Sequence, residues 1–344
     1  MALVQPSDSG RVPDVGVFTD AQFGSVAELL VANACMVAAP GSVALASPLL
    51  DLGFDLYLRR IRTLRVVPIQ VKARSFLSPD GEFQVSVSSL LPDPRGYVVM
   101  PYVPPPTWQL AQRLWAIPIP DFLKIAQPHG DGYLFASYLD DRFPGPASKF
   151  LVEVTQLRKQ WLGRIPGWND PIAGPPFPMA APTEEVGRAA SRALGRFGEL
   201  WLAAKLMRST LENVAIAQDR LRVDCVDLLL HDVRSFAVAG ISVHTSSINA
   251  RGIVQFRLRH QTFFIDGRLY VVILIALGDG GLHDTAFLIP AAEVPAITTV
   301  SADRGDPGYQ GSFRLDPLAE KMRPYAIPSD TLGPTILERL FPRS

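Results

Sequence analysis

The chain is short of cysteine, of net charge and of long apolar runs. Its 344 residues include two cysteines, Cys35 and Cys225, which excludes a disulfide scaffold. Both lie in apolar stretches without metal-ligand spacing nearby and read as buried, reduced thiols. Thirty-three Lys and Arg balance thirty-three Asp and Glu, so the net charge is zero. No overall basic field draws nucleic acid to the molecule, and any grip on phosphate must be local. The longest clean apolar run, Leu269 to Leu277, is too short to span a bilayer and reads as a central strand buried on both faces. The first residues, Met-Ala-Leu-Val-Gln-Pro-Ser-Asp, lack the basic and apolar regions of a signal peptide, so a cytoplasmic location without membrane contact is expected. No Gly-x-Ser-x-Gly elbow supports a serine hydrolase, and His129, His231, His260 and His283 show no metal-ligand spacing.

What is there is a globular composition, 48% apolar and 19% charged, with enough apolar surface for two cores. Residues 1–20 lack periodicity and read as a loose arm. Between Gly163 and Pro182 the density of Pro and Gly excludes a helix or central strand. The expected organisation is therefore a domain over 21–162, a linker over 163–183 and a second domain over 184–344.

One pattern occurs in both halves. The first copy is Gly24-Ser-Val-Ala-Glu28, then Asp55, then Gln70-Val71-Lys72. The second is Gly195-Arg-Phe-Gly-Glu199, then Asp227, then Ser242-Val243-His244. Asp55 to Lys72 and Asp227 to His244 are both 17 positions, and Lys72 to Pro118 and His244 to Pro290 are both 46. Residues 21–38 and 184–208 have helical spacing, and the Gly four residues before each Glu lets the helix pack closely or marks its first turn. Strands are expected at 43–49, 54–60 and 66–73, and again at 214–217, 223–230 and 236–245. Equal spacings over such lengths point to internal duplication and an intramolecular pseudo-dimer.

On a strand, Gln70 and Lys72 share a face, and the Val71 carbonyl is placed to meet a metal without any demand on its side chain. Asp55 comes from the preceding strand and Glu28 from the flanking helix. Carboxylates and carbonyls that hold Mg²⁺, beside a lysine that serves a water, suit phosphodiester hydrolysis. These residues resemble the motif of the PD-(D/E)XK nuclease superfamily, which includes restriction endonucleases and Holliday-junction resolvases. The Gln-x-Lys form is similar to restriction-associated bacterial domains in which Gln replaces the usual acid. The resemblance covers about residues 21–126 and, more weakly, 184–295. It implies two tandem αβββαβ domains with mixed sheets, in an α/β fold. It implies Glu28 as the helix acid, Asp55 as the metal aspartate, Gln70 as the variant acid and Lys72 as the catalytic lysine. Mg²⁺ or Mn²⁺ is the implied cofactor, DNA the implied substrate with RNA as the alternative, and defence or restriction the context.

Each residue also has a plainer reading. Asp55 could close a strand end, and Lys72 could be a solvated strand residue. Arg60, Arg62 and Arg74, with Arg59 and Arg65, could grip phosphate or protect an exposed strand edge. His244 could be a base or ligand, but Ser242 has replaced the acid equivalent, so Glu199, Asp227, Ser242 and His244 read as a degenerate site. Gly278-Asp-Gly-Gly281 reads as a turn, and Tyr102 to Trp108 as a strand end leading into a short helix. A non-catalytic protein that binds nucleic acid or a partner is the alternative function. A single chain carrying one centre, or a homodimer carrying two, are both compatible with the pattern.

Overall fold

The computed structural model describes residues 19–39, 42–49, 53–88, 90–140, 143–170, 186–210, 213–219, 225–259, 262–277, 281–301 and 307–342. In the first half, helix α1 (Asp20–Ala38) is followed by β1 (Val43–Pro48), β2 (Leu56–Arg60), β3 (Val66–Val71), β4 (Glu82–Val87), β5 (Tyr97–Pro101) and β6 (Arg113–Pro118). Then come α2 (Ile119–Ile125), β7 (Gln127–His129), β8 (Gly132–Tyr138), β9 (Leu151–Glu153) and α3 (Leu157–Gln160). The second half runs α4 (Val186–Thr210), β10 (Val214–Asp219), β11 (Leu228–Asp232), β12 (Val238–Ser247), β13 (Ile253–Arg259), β14 (Leu269–Ala276) and β15 (Thr285–Pro290). It ends with α5 (Val294–Ile297), β16 (Thr299–Ser301), β17 (Gly308–Arg314), β18 (Ala326–Pro328) and α6 (Leu332–Leu340). The fold is α/β with mixed sheets.

A 12-stranded sheet unites the halves in the order β18-β15-β14-β12-β11-β10-β1-β2-β3-β5-β6-β9. Its right side repeats the left in reverse. β3 and β5 are parallel, as are β12 and β14, while the other neighbours are antiparallel. Two three-stranded sheets, β4-β8-β7 and β13-β17-β16, also correspond. At the centre β1 and β10 pair with Ala46 opposite Asp219, Ser47 opposite Gln218 and Pro48 opposite Ala217. Ser47 and Gln218 hold the same position in the two strands, Val-Ala-Leu-Ala-Ser and Val-Ala-Ile-Ala-Gln, so the register is symmetric about that pair. This is the contact geometry of a two-fold dimer, made within one chain. It also disposes of the two strand edges that separate domains would expose.

The two faces of the sheet are covered differently. α1 is capped by Thr19, whose hydroxyl accepts from the Gln22 N–H while Gln22 Oε1 accepts from the Thr19 N–H. It lays Ala27, Val31 and Cys35 on Leu45, Leu58, Ile69 and Val71. α4 lays Leu202, Ala203 and Leu206 on Ile216, Leu230, Ile241 and Val243. On the opposite face a single cluster runs through both halves, from Trp115 and Phe135 through Tyr57 and Leu229 to Phe287 and Phe313. Trp115 is fully buried, with Phe83 at 5.0 Å and Phe135 at 5.5 Å between ring centroids, and this pins the β4-β8-β7 sheet to β6. Burial of each such aromatic stabilises by about 1.5–3 kcal/mol.

Three expectations need correction. The glycines four residues before the glutamates, Gly24 and Gly195, face open space. The close approach is made by Gly198, where a Cβ would overlap Thr245 Oγ1 and lie 3.2 Å from Leu274 Cδ1. The start of the expected linker belongs to the first half: Ile165 and Trp168 are buried in its core and Asp170 pairs with Arg65 at 2.6 Å. Its remainder from residue 171 lies outside the described residues, as do residues 1–18, most of the expected arm, residues 223–224 and Gly278 to Gly280. After Tyr102 the chain forms turns rather than a helix, closed by Ala111 N–H donating to the Tyr102 carbonyl at 2.9 Å.

Candidate functional site

Asp55 stands one residue before β2, where β2 and β3 part. The Asp55 N–H donates to Ile69 O at 2.9 Å, and its carboxylate then accepts the Val71 N–H at 2.6 Å. The side chain replaces the next rung of the backbone ladder. On its other edge β3 stays paired, with Lys72 N–H donating to Val99 O at 3.0 Å. Because a strand residue directs its N–H and C=O to the same edge, the Val71 carbonyl also faces the gap beside Asp55. Asp55, Val71 and the flanking Gln70 and Lys72 are thus brought together.

Gln70 is 2% exposed and points toward β4. Its Nε2 lies 3.5 Å from Ser88 O, while its Oε1 is buried without a hydrogen-bond partner. An unpaired buried acceptor costs about 1–3 kcal/mol, and a cation would remove that cost. Lys72 is partly exposed and has neither ion pair nor hydrogen-bond partner for its ammonium among the described residues. Glu28 does not join on the same side. The Val71 side chain faces α1, so Gln70 and Lys72 project to the opposite face, and Glu28, partly buried on α1, lies across the sheet from them. Among the described residues no three His, Cys, Asp or Glu side chains converge as a metal cage. Any divalent ion here would rest on the Asp55 carboxylate, the Gln70 amide oxygen and the Val71 carbonyl, a hard-oxygen set that suits Mg²⁺ or Mn²⁺ with retained waters.

The second half reproduces the backbone frame with different side chains on it. Asp227 N–H donates to Ile241 O at 2.9 Å and the Asp227 carboxylate accepts the Val243 N–H at 2.6 Å. Ser242, 1% exposed, places its hydroxyl 3.3 Å from His244 Nε2. Burial lowers the His244 pKa to about 4, so the ring is neutral at physiological pH and brings no positive charge to the lysine position. Glu199, 3% exposed, is held by Gln218 Nε2 at 3.1 Å and Arg196 at 3.3 Å.

The arginines divide. Arg60 and Arg62 are 3% and 8% exposed and are not displayed to a ligand, contrary to the expectation from sequence. β2 ends at Arg60, whose Nη1 donates to Gly167 O at 2.7 Å, and Arg62 sits in the turn at φ 54°. Arg59 is likewise inside, donating to Thr63 O at 3.1 Å. Arg74 alone of the three proposed contacts lies beside the site: its Nε donates to Gln84 O at 2.7 Å and its guanidinium stands 5.7 Å from the Phe76 ring centroid.

One polar cluster had no signal in the sequence. Asp93, wholly buried, accepts from Arg95 Nη2 at 2.9 Å and His231 Nε2 at 3.1 Å, and His231 Nδ1 meets the Tyr57 hydroxyl at 3.3 Å. It joins the halves, and its members are too far apart in the chain for any spacing rule. The surface hollow of about 900 Å³ between Leu110 and Thr155 includes none of the site residues. Compared with known proteins, the chain matches no family model, no curated protein and no solved structure.

Proposed function

We propose that the chain is a duplicated, restriction-endonuclease-like protein whose first half is a divalent-cation-dependent nuclease of DNA, with RNA as the alternative substrate. The observation that carries this reading is the parting of β2 and β3 at Asp55, which sets a carboxylate, the Val71 carbonyl edge, the unpaired Gln70 Oε1 and an unpaired Lys72 within three consecutive residues and their neighbour. Mg²⁺ or Mn²⁺, when bound, would supply charge neutralisation at the phosphate and an acidified water. Asp55, Gln70 and Val71 would hold the ion, and Lys72 would orient or deprotonate the water and stabilise developing charge. With the degenerate site of the second half inactive, one centre per chain gives nicking or single-strand cutting.

A second reading, a non-catalytic binder, is favoured by one observation. Asp227 accepts the Val243 N–H just as Asp55 accepts the Val71 N–H, in a half with His244 at the lysine position, so this aspartate bond does not by itself require a catalytic centre. Cleavage of labelled DNA and RNA in Mg²⁺ or Mn²⁺ decides between them. Lys72→Ala should abolish cleavage with the fold intact, and cleavage surviving both Lys72→Ala and Asp55→Asn would remove the proposed centre.

A further inference from the structure

Beyond Lys72 the chain continues extended, with Arg74 N–H donating to Pro101 O at 3.2 Å, so Lys72 and Arg74 project to one face. That face borders β4: Gln70 reaches Ser88 O, and two residues along on either side of Lys72, Arg74 reaches Gln84 O. The row ends in Phe76, 65% exposed, with the Arg74 guanidinium over its ring. Among the described residues Phe76 is the most exposed aromatic ring, and it stands with a cation over it beside the proposed centre.

The second half provides an internal control. There the same row reads Ser242, His244, Ser246 and Ile248, and Ser246 Oγ donates to Gln255 O at 2.5 Å, where Arg74 bonds Gln84 O. Here β12 stays paired with β14 as far as Ser247, whereas β3 ends at Val71 and the chain beyond it holds only the Arg74–Tyr102 bridge before bending at Ser75; both cations and the exposed ring are absent from the second row. Ile248 is partly buried and bridges to Val254. The first row thus leaves the sheet early and carries cations and a ring, where the second stays paired and carries small or apolar side chains.

We infer that Lys72, Arg74 and Phe76 form a strip for single-stranded nucleic acid, with phosphates on the two cations and an unstacked base on Phe76. This names the substrate form of the proposed nuclease and rests on that reading for its biological use, though not for its binding test. A duplex keeps its bases stacked and presents no π-face to Phe76, whereas a single strand does.

Binding is measured by fluorescence anisotropy of a labelled oligothymidine in EDTA, where cleavage is silent. Wild type should bind the single strand more tightly than a duplex of equal length. Phe76→Leu should weaken single-strand binding roughly 5- to 100-fold, Phe76→Tyr should keep it, and duplex binding should change little, since stacking on an aromatic ring carries that much affinity. Phe76 is exposed, so an unchanged melting temperature is expected in both variants. Equal binding by Phe76→Leu and wild type, or no single-strand binding by wild type, overturns the strip. Weakened binding by Phe76→Leu in a wild type that cleaves nothing keeps the strip and removes the nuclease.

Discussion

Asp93→Asn changes one atom of the buried cluster between the halves and turns an acceptor into a donor facing Arg95 or His231. Burial alone would raise the Asp93 pKa, but hydrogen bonds from His231 and Arg95 outweigh it and hold the carboxyl at about 2, below its ordinary 3.8. By linkage a depression of that size is worth about 2 kcal/mol. Removing one partner of a buried ionic cluster costs about 3–5 kcal/mol, and the lower end applies because the Arg95 side chain is 37% exposed and can turn to water. The two routes agree on about 2–3 kcal/mol, a fall in melting temperature of roughly 3–4 °C for a single transition of a chain of this size. The sign follows from the depressed pKa. The contribution is complete above about pH 3.8 and is lost as pH falls toward 2, so wild type and Asp93→Asn converge in acid. Calorimetry from pH 7 downward tests this. Because Tyr57, Asp93 and Arg95 come from one half and His231 from the other, and one apolar cluster spans both, the variant should shift a single transition rather than split it. An Asp93→Asn protein as stable as wild type at pH 7, or a difference that persists unchanged at pH 2, would refute the argument.

Other outcomes follow from single contacts. Gly198→Ala should cost about 1–3 kcal/mol because its Cβ meets Thr245, and adding Thr245→Ala should restore much of the loss, since the first half carries Ala27 and Ala73 at the same two positions. Thermal melts of the two variants check it. His244 should titrate near pH 4 by NMR. Its folded pKa lies below the ordinary 6.5, so the unfolded chain binds more protons between those values and stability declines as pH falls through that window, a slope that His244→Gln should flatten. Arg60→Gln should lower stability by about 1–3 kcal/mol through the lost bond to Gly167 O and leave nucleic-acid affinity unchanged, whereas Arg74→Gln should reduce affinity and its salt dependence.

The repeat was legible because spacing is a property of the chain. Equal intervals around Asp55 and Asp227 anticipated strands in the same register, and apolar runs such as Leu269 to Leu277 announced a strand buried on both faces. So was the inequality of the halves, since Ser242 and His244 are simply not Gln70 and Lys72. Arg60 and Arg62 misled because a charged residue at or just beyond a strand end is ordinarily solvated, and nothing local shows that Gly167, over a hundred positions away, supplies the acceptor that lets Arg60 be buried. The side of the sheet on which Glu28 lies was equally hidden, because it depends on which face α1 covers.

Local order, the repeated spacing and the side-chain differences between the halves were set by residue type and spacing, which act over a few positions or recur along the chain. The tertiary structure alone decided that the two sheets close into one about Ser47 and Gln218, that Asp93 and His231 meet between the halves, and that the row from Lys72 ends in an exposed Phe76. Each depends on contacts between distant segments, whose partners are chosen by packing and edge pairing rather than by any pattern within a segment.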